Sequence, residues 1–173
     1  MDIARELARN QLVVLLLPGA RYATRLVAAV KLLRKRYKKI CYVSLSKPYT
    51  TVLEELKAAR IPTDGFFFID AAAECLALER RENAVCVGSA EDLTGLGVQL
   101  ALCLKEFRPD LVLLDSLSTL LIYNSPGASA QFAHFVAGEV RLAKTKGVFV
   151  ALMEDKDSPL MKEVELFVDR VLG

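Results

Sequence analysis

The chain has 173 residues, 53% apolar and 25% charged, with a net charge of +2. That length fits one domain with one large core, and the near-neutral balance excludes a nucleic-acid tail or a membrane-surface patch spread over the whole molecule. The apolar runs fall far short of the roughly 20 residues of a membrane helix, and Met1–Glu6 carries charges where a signal peptide needs an apolar core, so a cytoplasmic protein with no membrane association is expected.

Short apolar runs alternate with helical patterns along the chain. Strands are predicted at Gln11–Leu17, Ile40–Leu45, Phe66–Ile69, Ala84–Val87, Leu111–Asp115 and Val148–Met153, with a last short one around Val168–Leu172. Helices are predicted at Tyr22–Arg36, Tyr49–Ala59, Asp92–Phe107, Ala128–Lys144 and Pro159–Phe167. Strands that are apolar throughout, rather than at alternate positions, are buried on both faces, as in a parallel sheet covered by helices. The helices supply the right-handed crossovers that parallel pairing requires. Turn chemistry agrees. Ile61-Pro62-Thr63-Asp64-Gly65 separates a helix from a strand. Ser89-Ala90-Glu91-Asp92 and Ser158-Pro159 read as helix starts, and Asn124-Ser125-Pro126-Gly127 breaks the chain after the Asp115 segment. The expectation is one domain over residues 1–173, a three-layer α/β/α sandwich with a mostly parallel central sheet in which Leu17 and Asp115 end central strands on the same edge.

Four cysteines occur, Cys41, Cys75, Cys86 and Cys103, with no C-x-x-C pair and a single histidine, His134. A zinc site is therefore not expected. The apolar neighbours of Cys41, Cys86 and Cys103 read as those of buried thiols in a reducing cytosol. His134 lies on a predicted helix without a partner motif and is assigned no chemistry.

Two positions read as a site. The strand Leu12–Leu17 runs through Pro18-Gly19 into a helix, the arrangement of a phosphate-binding loop, but the consensus G-x-x-x-x-G-K-S/T is lost from its middle onward. Started at Gly19, it reads Gly19-Ala20-Arg21-Tyr22-Ala23-Thr24-Arg25-Leu26. Thr24 stands where a glycine would allow a positive φ, Arg25 replaces the phosphate-binding lysine, and Leu26 cannot ligate magnesium. Arg21 and Arg25 near a helix N-terminus leave some affinity for an anion. The alternative is an ordinary strand–turn–helix. Asp115 closes a buried strand where open α/β sheets place their ligand sites; its alternative is a carboxylate that caps Leu117–Leu121 or bonds a nearby hydroxyl. Lys47 and Tyr49, after the second strand, fall at the same edge. A basic run holding Lys31, Arg34, Lys35, Arg36, Lys38 and Lys39 ends the first long helix. It matches the helix dipole there, and its functional reading is a patch for nucleic acid or an acidic partner.

On these segments the chain resembles the RecA/KaiC-like branch of P-loop ATPases, in its archaeal forms. The carrying residues are Val14-Leu15-Leu16-Leu17-Pro18-Gly19, Cys41-Tyr42-Val43-Ser44-Leu45, Phe66-Phe67-Phe68-Ile69-Asp70, Leu113-Leu114-Asp115-Ser116-Leu117-Ser118-Thr119-Leu120, Gly147-Val148-Phe149-Val150 and Val168-Asp169-Arg170-Val171. The resemblance implies a vestigial nucleotide site at Gly19, Arg21, Thr24, Arg25 and Asp115. It also implies that water-activating glutamates are absent, since Ser46 and Lys47 stand where the family carries them. No catalytic residue, resident cofactor or metal is then expected. The implied function is a non-hydrolysing pseudo-ATPase that works as a regulatory or scaffold subunit, bound to a protein partner or to itself as a dimer rather than a ring. The alternatives are an ATPase holding ATP and magnesium in an unorthodox loop, and a DNA-binding accessory protein of the same family.

Overall fold

The computed structural model describes residues 3–73 and 79–173; Met1, Asp2 and Cys75, noted above, lie outside them. The parallel sandwich expected from the sequence is present. In chain order the elements are α1 (Ile3–Arg9), β1 (Leu12–Leu17), α2 (Tyr22–Arg36), β2 (Ile40–Ser44), α3 (Tyr49–Ala58), β3 (Phe66–Asp70), β4 (Glu79–Arg80) and β5 (Ala84–Cys86). They continue with α4 (Leu93–Glu106), β6 (Leu111–Asp115), α5 (Leu117–Tyr123), α6 (Pro126–Leu142), β7 (Lys146–Leu152), α7 (Pro159–Val164) and β8 (Arg170–Leu172). The strands lie in the order β4-β5-β3-β2-β6-β7-β1-β8. Seven are mutually parallel, and only β4 runs antiparallel, to β5.

Successive side chains of each strand point to opposite faces, so the apolar runs feed two cores. Val13, Leu15 and Leu17 of β1 pack with Ile3, Leu7, Leu26, Val30 and Leu56 under α1–α3. Leu12, Val14 and Leu16 pack with Leu96, Leu100, Phe132, Val136 and Leu160 under α4–α7. This two-sided burial is why the strands read as continuous apolar runs. Polar side chains close the helix starts: Asp92 accepts the Gly95 N–H, Ser116 that of Thr119, Ser125 that of Ala128 and Ser158 that of Met161. Thus Ser116, not Asp115, caps the short helix after β6.

Several elements depart from the expectation. Helix α1 is held by only Ile3 and Leu7 on its buried side, a signal too short to read as periodicity. β8 is shorter than expected, and Asp169, just before it, is tied to the start of β1. Its carboxylate accepts the N–H groups of Gln11 (2.8 Å) and Leu12 (2.9 Å), and it pairs with Arg141 at 2.9 Å. Burial works against the charge of Asp169, but the Leu12 N–H, the Arg141 guanidinium and the Gln11 N–H together hold its carboxyl below the ordinary range. Cys86 is disulfide-bonded, which corrects its reading as a free buried thiol. Cys41 and Cys103 are free and buried, and contact with Cys103, with burial, pushes the Cys41 thiol up. Among the described residues, no helix is long and apolar enough to cross a membrane.

Where β2 and β3 begin, Gly65 passes so close to the preceding loop that a Cβ there would lie 1.9 Å from the Lys38 carbonyl oxygen. That contact is with backbone, which cannot swing aside. Gly65→Ala is therefore expected to lower stability by about 3 kcal/mol, the upper range for overpacking, read as a reduced urea midpoint. An unchanged midpoint would mean that this approach is looser than described.

Candidate functional site

The site forms where β1, β7, β6 and β2 end side by side. β7 lies between β1 and β6, with Leu17 opposite Leu152 and Asp115 opposite Val150, so Leu17 and Asp115 end on one edge as expected. After Leu17, Pro18 adopts an extended conformation and Gly19–Arg21 form a single 3-10 turn that leads directly into α2. The turn is closed by the Arg21 N–H donating to the Pro18 carbonyl at 3.0 Å. The Gly19 N–H is engaged as well, donating to both carboxylate oxygens of Glu154 at 3.0 and 3.2 Å. Register explains this pairing: Gly19 and Glu154 each follow, by two positions, the paired residues Leu17 and Leu152. An anionic side chain of the protein thus sits against the backbone donor that a phosphate would use.

Asp115 is 1% exposed and bonded on both oxygens. Tyr22, the first residue of α2, donates its hydroxyl to Oδ1 through a short hydrogen bond, and Tyr42 of β2 donates to Oδ2 at 2.7 Å. Tyr42 reaches it because β2 and β6 pair with Ser44 opposite Asp115, placing Tyr42 one pleat back on the same face. Burial raises the pKa of Asp115. The two phenols and the nearby Lys47 charge oppose that rise, and Glu55 adds to it. Burial and the Asp115 charge push both phenols well above the ordinary tyrosine range. The protons therefore stay on the phenols, which serve as fixed donors. Lys47 does not touch Asp115; its ammonium pairs with Glu55. A cis peptide bond joins Asp115 to Ser116.

A cleft of about 430 Å³ opens beside this cluster, bordered by Tyr22, Lys47, Ser116, Ser118, Ile122 and Asp155. Tyr22 borders the cleft while Asp115 does not, so the phenol lies on the cleft side of the carboxylate. Ser118 is turned inward to accept the Leu152 N–H at 2.8 Å, and the Ser116 and Thr119 hydroxyls bond each other at 2.9 Å. Among the described residues, no group of three or more His, Cys, Asp and Glu is placed to hold a metal ion.

The residues singled out in the sequence are only partly brought together. Gly19 and Asp115 lie at the same strand edge, but Arg21, Thr24 and Arg25 are exposed on the turn and first helical residues and do not border the cleft. Tyr49 is bound elsewhere: its N–H donates to Asp70 at 2.8 Å, and Asp70 also accepts the N–H groups of Ala72 and Ala73. The basic run is divided. Lys31 donates to the Ala59 carbonyl, Arg34 pairs with Asp64 at 3.0 Å, and Lys39 donates to the Phe107 carbonyl, while Lys35, Arg36 and Lys38 are exposed. His134 stacks edge-on against Phe167 at 5.1 Å. Sequence reasoning missed Tyr22, Tyr42 and Glu154. The available signal was Tyr42, since a tyrosine inside an all-apolar strand requires a partner for its hydroxyl.

Removing one donor from a buried carboxylate costs about 2 kcal/mol, so Tyr22→Phe is expected to lose that much at neutral pH by chemical denaturation. The pKa of Asp115 is raised in the folded state. Its charge therefore costs stability above that pKa, and the cost is relieved as pH falls through it toward the unfolded value of about 3.9. The stability of the wild type relative to Asp115→Asn should accordingly rise on acidification from neutral pH. A difference that is flat or falls with acidification would show that the carboxylate is not under this strain.

No curated protein matches the chain. A family model does, over residues 14–172, which includes Gly19, Tyr22, Tyr42, Asp115 and Glu154. The chain thus belongs to DUF7504, a family of unknown function.

Proposed function

We propose that this protein is a non-hydrolysing, RecA/KaiC-like pseudo-ATPase that works as a scaffold or regulatory subunit through protein–protein contacts. The observation that carries this reading is that both ends of the site are filled from within. Glu154 takes the Gly19 N–H, and Tyr22 and Tyr42 take both oxygens of Asp115. Binding a triphosphate with magnesium would require moving Glu154, whose charge repels phosphate, and stripping both phenols from Asp115 to free it for the metal. Arg25 and Leu26 stand where the consensus lysine and magnesium-ligating hydroxyl would repay either step. Lys47, which borders the cleft, pairs its amine with Glu55.

The contact surface in this reading is the outer face of α4 and α6. No Asp, Glu, Lys or Arg occurs between Asp92 and Lys105 or between Asp115 and Glu139. Between the two helices lies a cleft of about 440 Å³ bordered by Leu93, Gly97, Val98, Ala101, Phe132 and Phe135. Val98 is 51% and Phe135 42% exposed. Apolar groups at this exposure in an uncharged setting fit a protein contact.

Two measurements test the reading. Calorimetric titration of Mg-ATP should give no binding heat, and phosphate release should equal a blank and be unaltered by Asp115→Ala. Turnover abolished by that substitution overturns the pseudo-ATPase. For the contact surface, light scattering at micromolar concentration should report a dimer that Val98→Lys with Phe135→Glu converts to a monomer. A wild type that is monomeric throughout the concentration range overturns self-association.

A further inference from the structure

Each parallel strand begins at the edge opposite the site, and the loops that lead into the strands there have an unusual composition. Helices α3, α4 and α6 end through a residue in the left-handed region, where glycine is normally used because it has no Cβ to clash. Here the three positions are Arg60, Arg108 and Lys144, with φ of 56°, 50° and 54°. No other described residue except Gly88 has a positive φ, so every side chain held at a positive φ in the described fold is a cation, and all three lie on this one edge. The loop after α2 contributes Lys38 and Lys39, and the last turn of α4 contributes Lys105. All six are exposed, and among the described residues none is in an ion pair, though Lys39 also donates to the Phe107 carbonyl at 2.9 Å.

These loops form one continuous surface. They precede β3, β2, β6 and β7, which are adjacent in that order. The Asp110 N–H donates to the Lys39 carbonyl, the Lys146 N–H to the Asp110 carbonyl, and the Thr145 hydroxyl to the Pro109 carbonyl at 2.7 Å. An open groove of about 510 Å³ runs between two of them, bordered by Lys105, Arg108, Asp110 and Lys144. The acidic groups nearby are engaged: Asp64 with Arg34, Glu106 with Arg80, and Asp110 with the backbone N–H groups of Lys38 and Lys39, both at 2.9 Å.

Helix C-termini also point to this edge, and matching their dipoles accounts for part of the charge. Four helix ends contribute about half a negative charge each. Set against six cations and Asp110, that still leaves the edge positive by about three charges. Dipole matching also does not require the cation to occupy the strained position. Beside these cations the exposed large apolar side chain among the described residues is Leu142, in the last turn of α6; a single such side chain does not make the apolar centre that a protein partner would call for. At a strand spacing of about 4.8 Å, four strands span about 14 Å, which reaches across a DNA major groove of about 12 Å from one phosphate strand to the other.

The geometry points to a docking surface for the phosphate backbone of duplex DNA along this edge, formed by Lys38, Lys39, Arg60, Lys105, Arg108 and Lys144. It shares only Lys38 and Lys39 with the basic run first read in the sequence, of which Lys31 and Arg34 are turned to the α3–β3 connection. It does not rest on the state of the nucleotide site, and its test uses no nucleotide.

The test is anisotropy of a short fluorescent DNA duplex titrated with the full-length protein across a series of monovalent salt concentrations. Six phosphate contacts predict a slope of log affinity against log salt of about −5. The informative variant is Arg60→Gly with Arg108→Gly and Lys144→Gly, because glycine relieves the backbone strain while it removes the charge. Its melting temperature should not fall, its slope should flatten by about three, and its affinity at about 0.1 M salt should drop at least tenfold. Should the triple variant fail to fold, Lys38→Gln with Lys105→Gln, both exposed, replaces it with a slope flatter by about two. Absence of duplex binding overturns the proposal, as does a slope unchanged in the variants. Tighter binding to anionic phospholipid vesicles or to polyglutamate than to the duplex also overturns it, and assigns the edge to a membrane or an acidic protein instead.

Discussion

A carboxylate buried with no cation touching it is the constraint around which the strand ends are built. Asp115 would be costly in that position if its oxygens were bare. Two phenols supply its donors, and each arrives on a different element: Tyr42 through the pairing of β2 with β6, Tyr22 through the way α2 leaves β1. The three-way contact therefore ties the first helix of the crossover to two central strands. It also depends on the strand order, because β7 must lie between β1 and β6 for α2 to begin within reach. The same order brings Glu154 to Gly19. Two polar closures thus follow from one topological fact.

Most of the architecture was legible in the sequence because parallel strands buried on both faces give apolar runs that few other structures produce. The runs Leu12–Leu17, Ile40–Ser44 and Leu111–Asp115 needed no further information, and the position of Asp115 at a strand end followed from where the third run stops. The features that failed to show were those set by pairing between distant segments. Nothing near Gly19 in the chain announces Glu154, which is 135 positions away. In the sequence Tyr22 is an ordinary first helical residue, and the residues beside it with a charge to offer a ligand, Arg21 and Arg25, are exposed to solvent. The basic run misled in the opposite sense. Proximity in sequence suggested one patch, but helical geometry sends Lys31 and Arg34 against the α3–β3 connection and leaves only the far end free.

The two edges of the sheet consequently differ in chemistry. The edge at the strand ends collects hydroxyls and carboxylates that mostly satisfy one another: Ser116 with Thr119, Asp115 with its phenols, Glu154 with a backbone N–H, Glu55 with Lys47. The edge at the strand starts collects cations whose neighbouring acids are already committed. A net charge of +2 conceals this separation. An overall balance near zero constrains solubility and average behaviour, but it says nothing about how the charges are sorted between opposite ends of a parallel sheet.

The ends of the sheet in the other direction, across the strands, carry a consequence of their own. β8 has three residues, so this outermost strand offers only a few open backbone groups. Short edge strands are one means by which sheet proteins prevent the sheet from growing into a neighbour. β4 also runs against the direction of the rest, which breaks the parallel pattern a further parallel strand would continue. A second chain therefore finds little to zip onto at the β8 margin. Growth by strand addition is discouraged there.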